Sequence, residues 1–247
     1  MSRSRGFTLI ETIVSMVIGG LIMAAGYALW RTHQVEGMRL SKKIELRNKL
    51  TLSSKQLQRA VTLAGLGLSG AANLAKQDAV GSDTLIVYTN PNETKAGLLL
   101  AADHHIAAIQ VDAPTAFANA GFVALAGGGH AELRRITGVN GSTLSLDSAF
   151  ANDYAMAGTF AMPARRERFY SEQDSAKLIH ETPAGRLILA TDVKNFQVSF
   201  ADRQGKSTEI SAQIRTVRFS LTGIFPAREG ALNSIILSST AIPRNTL

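Results

Sequence analysis

The first 64 residues carry the hydrophobic pattern of a single long helix. Phe7 to Trp30 is an unbroken apolar segment of 24 residues whose only charged residue is Glu11. At about 1.5 Å per residue such a helix is roughly 36 Å long, enough to cross a hydrocarbon layer of about 30 Å. The segment therefore predicts a transmembrane helix.

The apolar pattern continues beyond Trp30 but becomes one-sided. Steps of three, four and seven separate the apolar residues, as on one face of a helix: Leu46, Leu50, Leu57, Val61 and Ala64. No proline lies between Ser2 and Pro91, and the Gly65-Leu-Gly67 sequence is a typical helix stop. One helix from Phe7 to about Ala64 is predicted.

After Gly67 the chain changes to short apolar runs separated by Gly, Asn, Asp and Pro, which is typical of β-structure. Asn140-Gly141 is a hairpin signal between two of these runs. The predicted strands are Thr84–Thr89, Ala107–Val111, Gly121–Leu125, Glu132–Val139, Thr143–Leu146, Glu167–Tyr170, Lys177–His180, Phe196–Phe200, Arg215–Leu221 and Ser234–Ser238. Residues 184–193 fit either a strand or a short helix, and residues 71–80 and 113–120 are predicted to be irregular.

These elements predict an α+β fold in which one long helix packs on a mostly antiparallel β-domain. The expected organisation is a leader at residues 1–6, a transmembrane helix at 7–30, its amphipathic continuation at 31–65 and a globular β-rich domain at 66–247. The sequence contains no repeat of fixed period and no long linker, so it gives no indication of a second globular unit. The absence of cysteine excludes disulfides and thiolate chemistry.

The apolar segment differs from an ordinary secretory signal. Such a signal would be shorter and would end at a small-residue cleavage site, whereas here the helical pattern runs on through Trp30. Arg3 and Arg5 precede the segment, so the positive-inside tendency predicts a cytoplasmic N-terminus. A plain signal anchor is the simplest alternative.

Glu11 argues against a plain anchor. A carboxylate inside an apolar span costs on the order of 2.5–3.5 kcal/mol at mid-helix and is usually retained for a partner. Cleavage between Gly6 and Phe7 would create such a partner, because the new amine would lie one helical turn before Glu11. The small Gly6 also permits close approach by a protease.

The sequence Arg5-Gly6-Phe7-Thr8-Leu9-Ile10-Glu11 resembles the prepilin leader signature of type IV pilins and type II secretion pseudopilins. The resemblance implies that a membrane peptidase cuts after Gly6 and N-methylates Phe7. It also implies that Glu11 neutralises the N-terminus of a neighbouring subunit during assembly.

Short motifs farther along resemble PilW-type minor pilins. They are Leu57-Gln-Arg59 with Leu63-Ala-Gly65, Gly81-Ser-Asp83-Thr-Leu85, Glu132 to Thr137, Val193 to Phe196 and Ile214 to Leu221. Type II secretion pseudopilin J is built on a related plan and is the main competitor. The chain lacks the cysteine pair and the helix proline of many major pilins, which favours a low-copy subunit. Glu11 argues against the tip pseudopilin, which typically lacks this acid.

The resemblance implies a structural subunit that initiates or caps type IV pilus assembly. Its implied partners are other pilin or pseudopilin subunits, prepilin peptidase and the inner membrane, with the C-terminal domain in the periplasm before assembly. No enzymatic activity, cofactor or metal is expected. A membrane-anchored binding or enzymatic domain is the alternative of another class.

Nearly all of the formal net charge of +7 lies in the amphipathic part of the helix. Arg31 to Arg59 contains eight basic residues and two acidic ones. This region would meet anionic headgroups and acidic neighbours, or form a solvated face. Direct DNA binding is the weakest reading, because no aromatic residues alternate with the charges for base stacking. Gly19, Gly20 and Gly26 indicate close helix packing or local unwinding, or simply the glycine content of membrane helices.

Asp103, His104 and His105, with His130, form the only cluster that suggests a metal. Adjacent histidines on a strand point to opposite faces, so a solvated loop is the favoured interpretation. A hydrolytic triad based on Asp103 and His104 is disfavoured, because no Gly-x-Ser-x-Gly elbow occurs. Gly127 to Gly129 is predicted to be a turn rather than a phosphate loop. Arg165, Arg166 and Arg168 are interpreted as a solvated strand edge.

Overall fold

The computed structural model describes residues 8–68, 74–76, 84–208, 214–227 and 231–243. The predicted α+β fold is confirmed. A single helix, α1 (Leu9–Leu63), spans 55 residues and is about 80 Å long. Only its C-terminal third is buried against the rest of the chain, through Leu46, Leu50, Ser53, Ser54, Leu57, Ala60 and Val61.

The helix ends where the glycines predict. Ala64 caps α1 by donating its backbone N–H to Val61 O, and Gly67 follows with a φ of 67°. A Cβ on Gly67 would lie 2.4 Å from Asn90 O, so both the conformation and the close approach require glycine. Two backbone hydrogen bonds, Gly65 N to Tyr88 O and Asn90 N to Leu66 O, tie this turn to the strand that ends at Thr89.

The β-domain contains thirteen strands among the described residues. They are β1 (Leu74–Lys76), β2 (Thr84–Thr89), β3 (Ala96–Gly97), β4 (Ala108–Gln110), β5 (Phe122–Gly127), β6 (His130–Asn140), β7 (Thr143–Leu146), β8 (Phe160–Glu172), β9 (Lys177–Thr182), β10 (Gly185–Thr191), β11 (Val193–Ala201), β12 (Thr216–Pro226) and β13 (Leu232–Ala241). Short 3₁₀ helices occupy Pro114–Phe117 and Gln173–Ser175. The strand pairs among the described residues are antiparallel, in agreement with the predicted sheet type.

The large sheet is organised around β8. Its main path runs β1-β2-β8-β5-β6-β7-β4, while β3 and β9 also pair with β8 and β10 pairs with β9. The first part of β8 pairs with β3 and β5, and its second part pairs with β2 and β9. One 13-residue strand therefore joins two differently partnered regions of the sheet.

The smaller sheet, in the order β11-β12-β13, receives the helix. Strand β12 buries Val217, Phe219 and Leu221, whereas Arg218 between them is exposed. This confirms the predicted alternation of a half-buried strand. A Cβ on Gly223 would lie 2.9 Å from Leu46 Cδ1, so this glycine lets the helix approach the strand closely.

Three apolar clusters fill the domain. The first joins the C-terminal third of α1 to β2, β8–β12 and the end of β13, and the second lies among β3–β8 and their connections. The third packs on the opposite side of β2 from the helix. Strand β2 is buried on both faces because Leu85 and Val87 join the first cluster while Ile86 and Tyr88 join the third.

Most strand predictions agree with the structure, and the differences have physical causes. Strands β2 and β7 match their predicted bounds, and the ambiguous residues 184–193 contain strand β10. The predicted Glu167–Tyr170 strand is only part of β8. The sequence does not predict the first half of β8, because that half contains Pro163 and a proline argues against a strand. On one edge of β8, the pairing with β3 ends at Ala161 and the pairing with β2 begins at Arg165. Pro163 lies between these two residues and is accommodated there.

The two segments predicted to be irregular each contain some regular structure. The prediction for residues 71–80 is wrong at β1, which pairs with β2 and gains its order from that ladder rather than from its own sequence. The rest of that segment lies outside the described residues. Within residues 113–120, the 3₁₀ helix Pro114–Phe117 buries Phe117 in the second cluster.

A carboxylate, Glu132 on β6, fixes the connection between β7 and β8. Its side chain is only 12% exposed, and it accepts hydrogen bonds from the backbone N–H groups of Ala151 and Asn152 at 2.7 and 3.0 Å. It also accepts from the Tyr154 hydroxyl at 3.2 Å and lies 2.7 Å from Arg134 Nη2. Burial alone would raise the pKa of Glu132, but the hydrogen bonds from Ala151 and Asn152 and the charge of Arg134 outweigh it and lower the pKa.

We expect Glu132→Gln to lower the free energy of unfolding by about 1–3 kcal/mol, because the amide NH2 group replaces one acceptor oxygen at a site where donors face both oxygens. The wild-type advantage should be present above the ordinary glutamate pKa of 4.5 and disappear as the pH falls through the lower folded-state value. Thermal unfolding of the full chain in detergent at several pH values measures both effects. Glu93→Gln, at an exposed carboxylate, is the matched control. Equal melting temperatures of wild type and Glu132→Gln at neutral pH would contradict the prediction.

Candidate assembly site on the N-terminal helix

The apolar first part of α1 is not covered by the described part of the domain. None of the 18 residues of its most apolar window is buried within the chain, and the helix is long and apolar enough to cross a membrane. Leu9 is 78% exposed and Met23 is 74% exposed. Exposed apolar surface of this extent marks a contact with lipid or with another protein.

Glu11 lies at the N-terminus of this helix and completes a capping box with Thr8. The Glu11 Oε2 atom accepts hydrogen bonds from Thr8 N at 2.9 Å and from Thr8 Oγ1 at 3.0 Å. In return, Glu11 N donates to Thr8 Oγ1 at 3.3 Å. The carboxylate therefore lies at the positive end of the helix dipole, where a negative charge is stabilised.

The predictions from the sequence do not include Thr8 as the helix cap, although the spacing of Thr8 and Glu11 contains the signal for it. Thr8 and Glu11 have the spacing of a capping box immediately before an apolar run. Gly6 and Phe7, the predicted cleavage and methylation residues, lie outside the described residues. Thr8 directly follows Phe7 in the sequence, so the carboxylate is held next to the predicted new N-terminus.

Comparison with known families gives a match in this region. Residues 1–27 match the family model described as the prokaryotic N-terminal methylation motif. This motif is the methylation signal of type IV pilin-like proteins. A comparison with curated proteins found no match, and a comparison with solved structures found none either. The pilin-like motif together with the exposed apolar helix indicates membrane anchoring.

In the part of the chain that the structure describes, no residue packs against Gly19, Gly20 or Gly26 of the pilin-like helix. A Cβ added at Gly19, Gly20 or Gly26 would meet no atom within 4 Å. The domain's own structure therefore does not require glycine at these positions. Contact with other helices and the ordinary glycine content of membrane helices both stay open as explanations.

The basic residues of α1 are mostly exposed, and two of them pair with acids on the same helix. Lys49 Nζ lies 2.7 Å from Glu45 Oε1, and Arg39 Nη1 lies 3.4 Å from Glu36 Oε1. Lys49 also donates to Thr191 Oγ1 at 3.4 Å, on the strand that borders the helix. Since Arg31, Lys42, Lys43, Arg47, Lys55 and Arg59 are also exposed, the helix presents a positive surface beyond its apolar part.

Asp103, His104 and His105 lie in an exposed turn, which confirms the predicted loop. The argument that the two histidines point to opposite faces is wrong here, because it holds for a strand. Their ring centroids are only 3.7 Å apart. His104 Nδ1 lies 2.7 Å from Asp153 Oδ1, and this hydrogen bond raises the pKa of His104. No serine hydroxyl among the described residues is hydrogen-bonded to His104.

The interpretation of Arg165, Arg166 and Arg168 as a strand edge is wrong. All three lie on β8, where they pair with Thr89, Tyr88 and Ile86 of β2. Arg168 also pairs with Glu181 of β9, so this part of β8 is interior to the sheet. Arg165 is exposed, whereas the guanidinium groups of Arg166 and Arg168 lie over the rings of Phe122 and Tyr170.

The glycine-rich segment is a turn, as predicted. Gly127 pairs with His130 across the β5–β6 hairpin, and Gly128 and Gly129 are the two loop residues. The Asn140-Gly141 hairpin is also confirmed, with Asn140 paired to Thr143 and Gly141-Ser142 forming its loop.

Proposed function

We propose that the protein is a minor pilin, a structural subunit that initiates or caps assembly of a type IV pilus. Cleavage after Gly6 and N-methylation of Phe7 by prepilin peptidase produce the mature chain. The observation that carries the proposal is the match of residues 1–27 to the methylation motif at the start of a helix that the domain leaves exposed.

Before assembly, the apolar part of α1 crosses the inner membrane with its N-terminus in the cytoplasm and the β-domain in the periplasm. Arg3 and Arg5 before the span support this orientation through the positive-inside tendency. In the filament, the same helix surface packs against the helices of other pilin subunits. The chain's lack of cysteine and the short motifs resembling PilW-type proteins support a low-copy position.

The carboxylate of Glu11 drives this lateral packing. In the mature chain the Phe7 amine carries a positive charge, and a second subunit's Glu11 neutralises it. Two isolated charges in an apolar filament core are each unfavourable, whereas the pair is not. The exposure of the Glu11 side chain in the single chain supports a role toward a neighbour.

Intact-mass measurement of the protein produced in a host with prepilin peptidase tests the first step. We expect wild type to lack residues 1–6 and to carry one added methyl group, whereas Gly6→Val keeps the full leader because the larger side chain hinders the peptidase. Ser4→Ala, two residues before Gly6 in the leader, is the matched control and should be processed normally. A mature wild-type chain that retains Met1, or a Gly6→Val protein with the mass of processed wild type, would refute the proposal.

A type II secretion pseudopilin of the J type uses the same N-terminal chemistry and shares the signature sequence. Co-purification separates the two functions. A minor pilin is recovered with sheared extended pili, whereas a pseudopilin is recovered with a secretion complex and its loss stops protein export.

A further inference from the structure

The turn at Asp103–His105 has a fixed base in the second apolar cluster. Ala102 and Tyr154 form an antiparallel bridge with hydrogen bonds of 2.9 Å in both directions. Both residues are buried, with exposures of 4% and 2%. Ile106 N donates to Asp103 O at 3.1 Å and closes the turn. The side chains on this turn are therefore presented from an ordered backbone, although they are themselves exposed.

Three potential metal ligands converge on this turn. One ligand atom from each of Asp103, His104 and His105 lies within 4.8 Å of the other two. Imidazole nitrogens with a carboxylate oxygen are a ligand set for zinc and for other late first-row divalent metals. Because all three side chains are exposed, a metal can reach them without opening the fold.

The hydrogen bonds around the turn orient two of these ligands. Asp153 Oδ1 accepts from the His104 backbone N–H at 2.8 Å and lies 2.7 Å from His104 Nδ1. This arrangement fixes the ring and leaves Nε2 for a metal, as in the carboxylate–histidine–metal arrangement of many sites. His105 N donates to Asp103 Oδ1 at 2.7 Å, which holds the Asp103 carboxylate beside the rings.

We propose that Asp103, His104 and His105 bind a divalent transition-metal ion such as zinc, with Asp153 as a positioning residue. Three protein ligands leave a fourth position of a tetrahedral site for water or for a donor from another molecule. This inference is independent of the proposed pilin function, because the turn belongs to the β-domain and not to α1.

Isothermal titration of zinc into the full-length, untagged protein in detergent tests the proposal. We expect one zinc ion per wild-type chain and loss of that binding in the double variant His104→Gln, His105→Gln. The Asp153→Asn variant should bind about 10–100-fold more weakly, because it loses the carboxylate that holds His104. His130→Gln is the matched control, since His130 is an exposed histidine outside the cluster, and should bind as wild type does.

Thermal unfolding without metal shows whether the variants are folded, and an unchanged melting temperature is expected for substitutions on an exposed turn. No saturable binding to wild type would overturn the proposal. It would also be overturned if the double variant, folded as shown by its melting temperature, bound zinc as wild type does. If the double variant were unfolded, the single variants His104→Gln and His105→Gln would provide the test. The proposal requires each of them to bind zinc more weakly than wild type does.

Discussion

Replacing Glu11 by Gln should abolish incorporation of the protein into filaments while leaving its membrane insertion intact. In the proposed filament, the variant would lose the charge that neutralises the Phe7 amine of a neighbour. An uncompensated charge in an apolar helix costs on the order of 2.5–3.5 kcal/mol, which corresponds to roughly a hundredfold weaker lateral association. Quantifying the protein in sheared pili against the membrane fraction measures the loss.

The choice of glutamine separates the capping role that the structure shows for Glu11 from the proposed role of its charge in assembly. A glutamine three residues after the N-cap can still take part in a capping box, so Glu11→Gln retains that role but not the negative charge. Ser15→Ala is the matched control, because the Ser15 hydroxyl only donates to Glu11 O one turn along the same helix. Normal incorporation of Glu11→Gln would show that capping, and not charge, is the role of this residue.

The second large effect concerns the attachment of the helix to the domain. We expect Leu50→Ala to lower the free energy of unfolding by about 2–5 kcal/mol, because Leu50 is fully buried between α1 and the small sheet. For a domain of this size the melting temperature should fall by roughly 4–20 °C. Thermal unfolding of the full chain in detergent, followed by circular dichroism, measures the change.

Leu52→Ala provides the control for this substitution. Leu52 lies two residues farther along the same helix and is 62% exposed, so the same change removes no buried packing. Its melting temperature should stay close to that of wild type. Equal destabilisation by the two substitutions would contradict the packing role of Leu50, because alanine is the better helix former and helix propensity cannot account for a loss of stability.

The elements with strong local patterns could be predicted from the sequence. The helix follows from its continuous apolar span, its one-sided continuation and its terminal glycines, and β12 follows from the alternation of Val217, Arg218 and Phe219. Strand β2 could be recognised because a run of β-formers ends at Asn90-Pro91. In each case neighbouring residues alone contain the signal.

The features that could not be predicted depend on distant partners. The first half of β8 contains Pro163 and small residues, and its order comes from pairing with β5. The histidine cluster depends on a turn whose base is a bridge between Ala102 and Tyr154, and its orienting carboxylate, Asp153, lies 49 residues away from His104 in sequence. The exposed turn agrees with the predicted loop, but the distant carboxylate leaves no mark in the local sequence around His104.

The joint between the helix end and β2 also has a mechanical consequence. In the proposed filament, each subunit would be held by its N-terminal helix, so tension along the fibre would enter the domain through α1. Part of this tension would act parallel to the helix, on the leucine contacts between α1 and the small sheet. The rest would act on β2, through the backbone hydrogen bonds from Gly65 N to Tyr88 O and from Asn90 N to Leu66 O. Because β2 is paired with the long strand β8, the pull is distributed over the large sheet instead of peeling the helix away from one end.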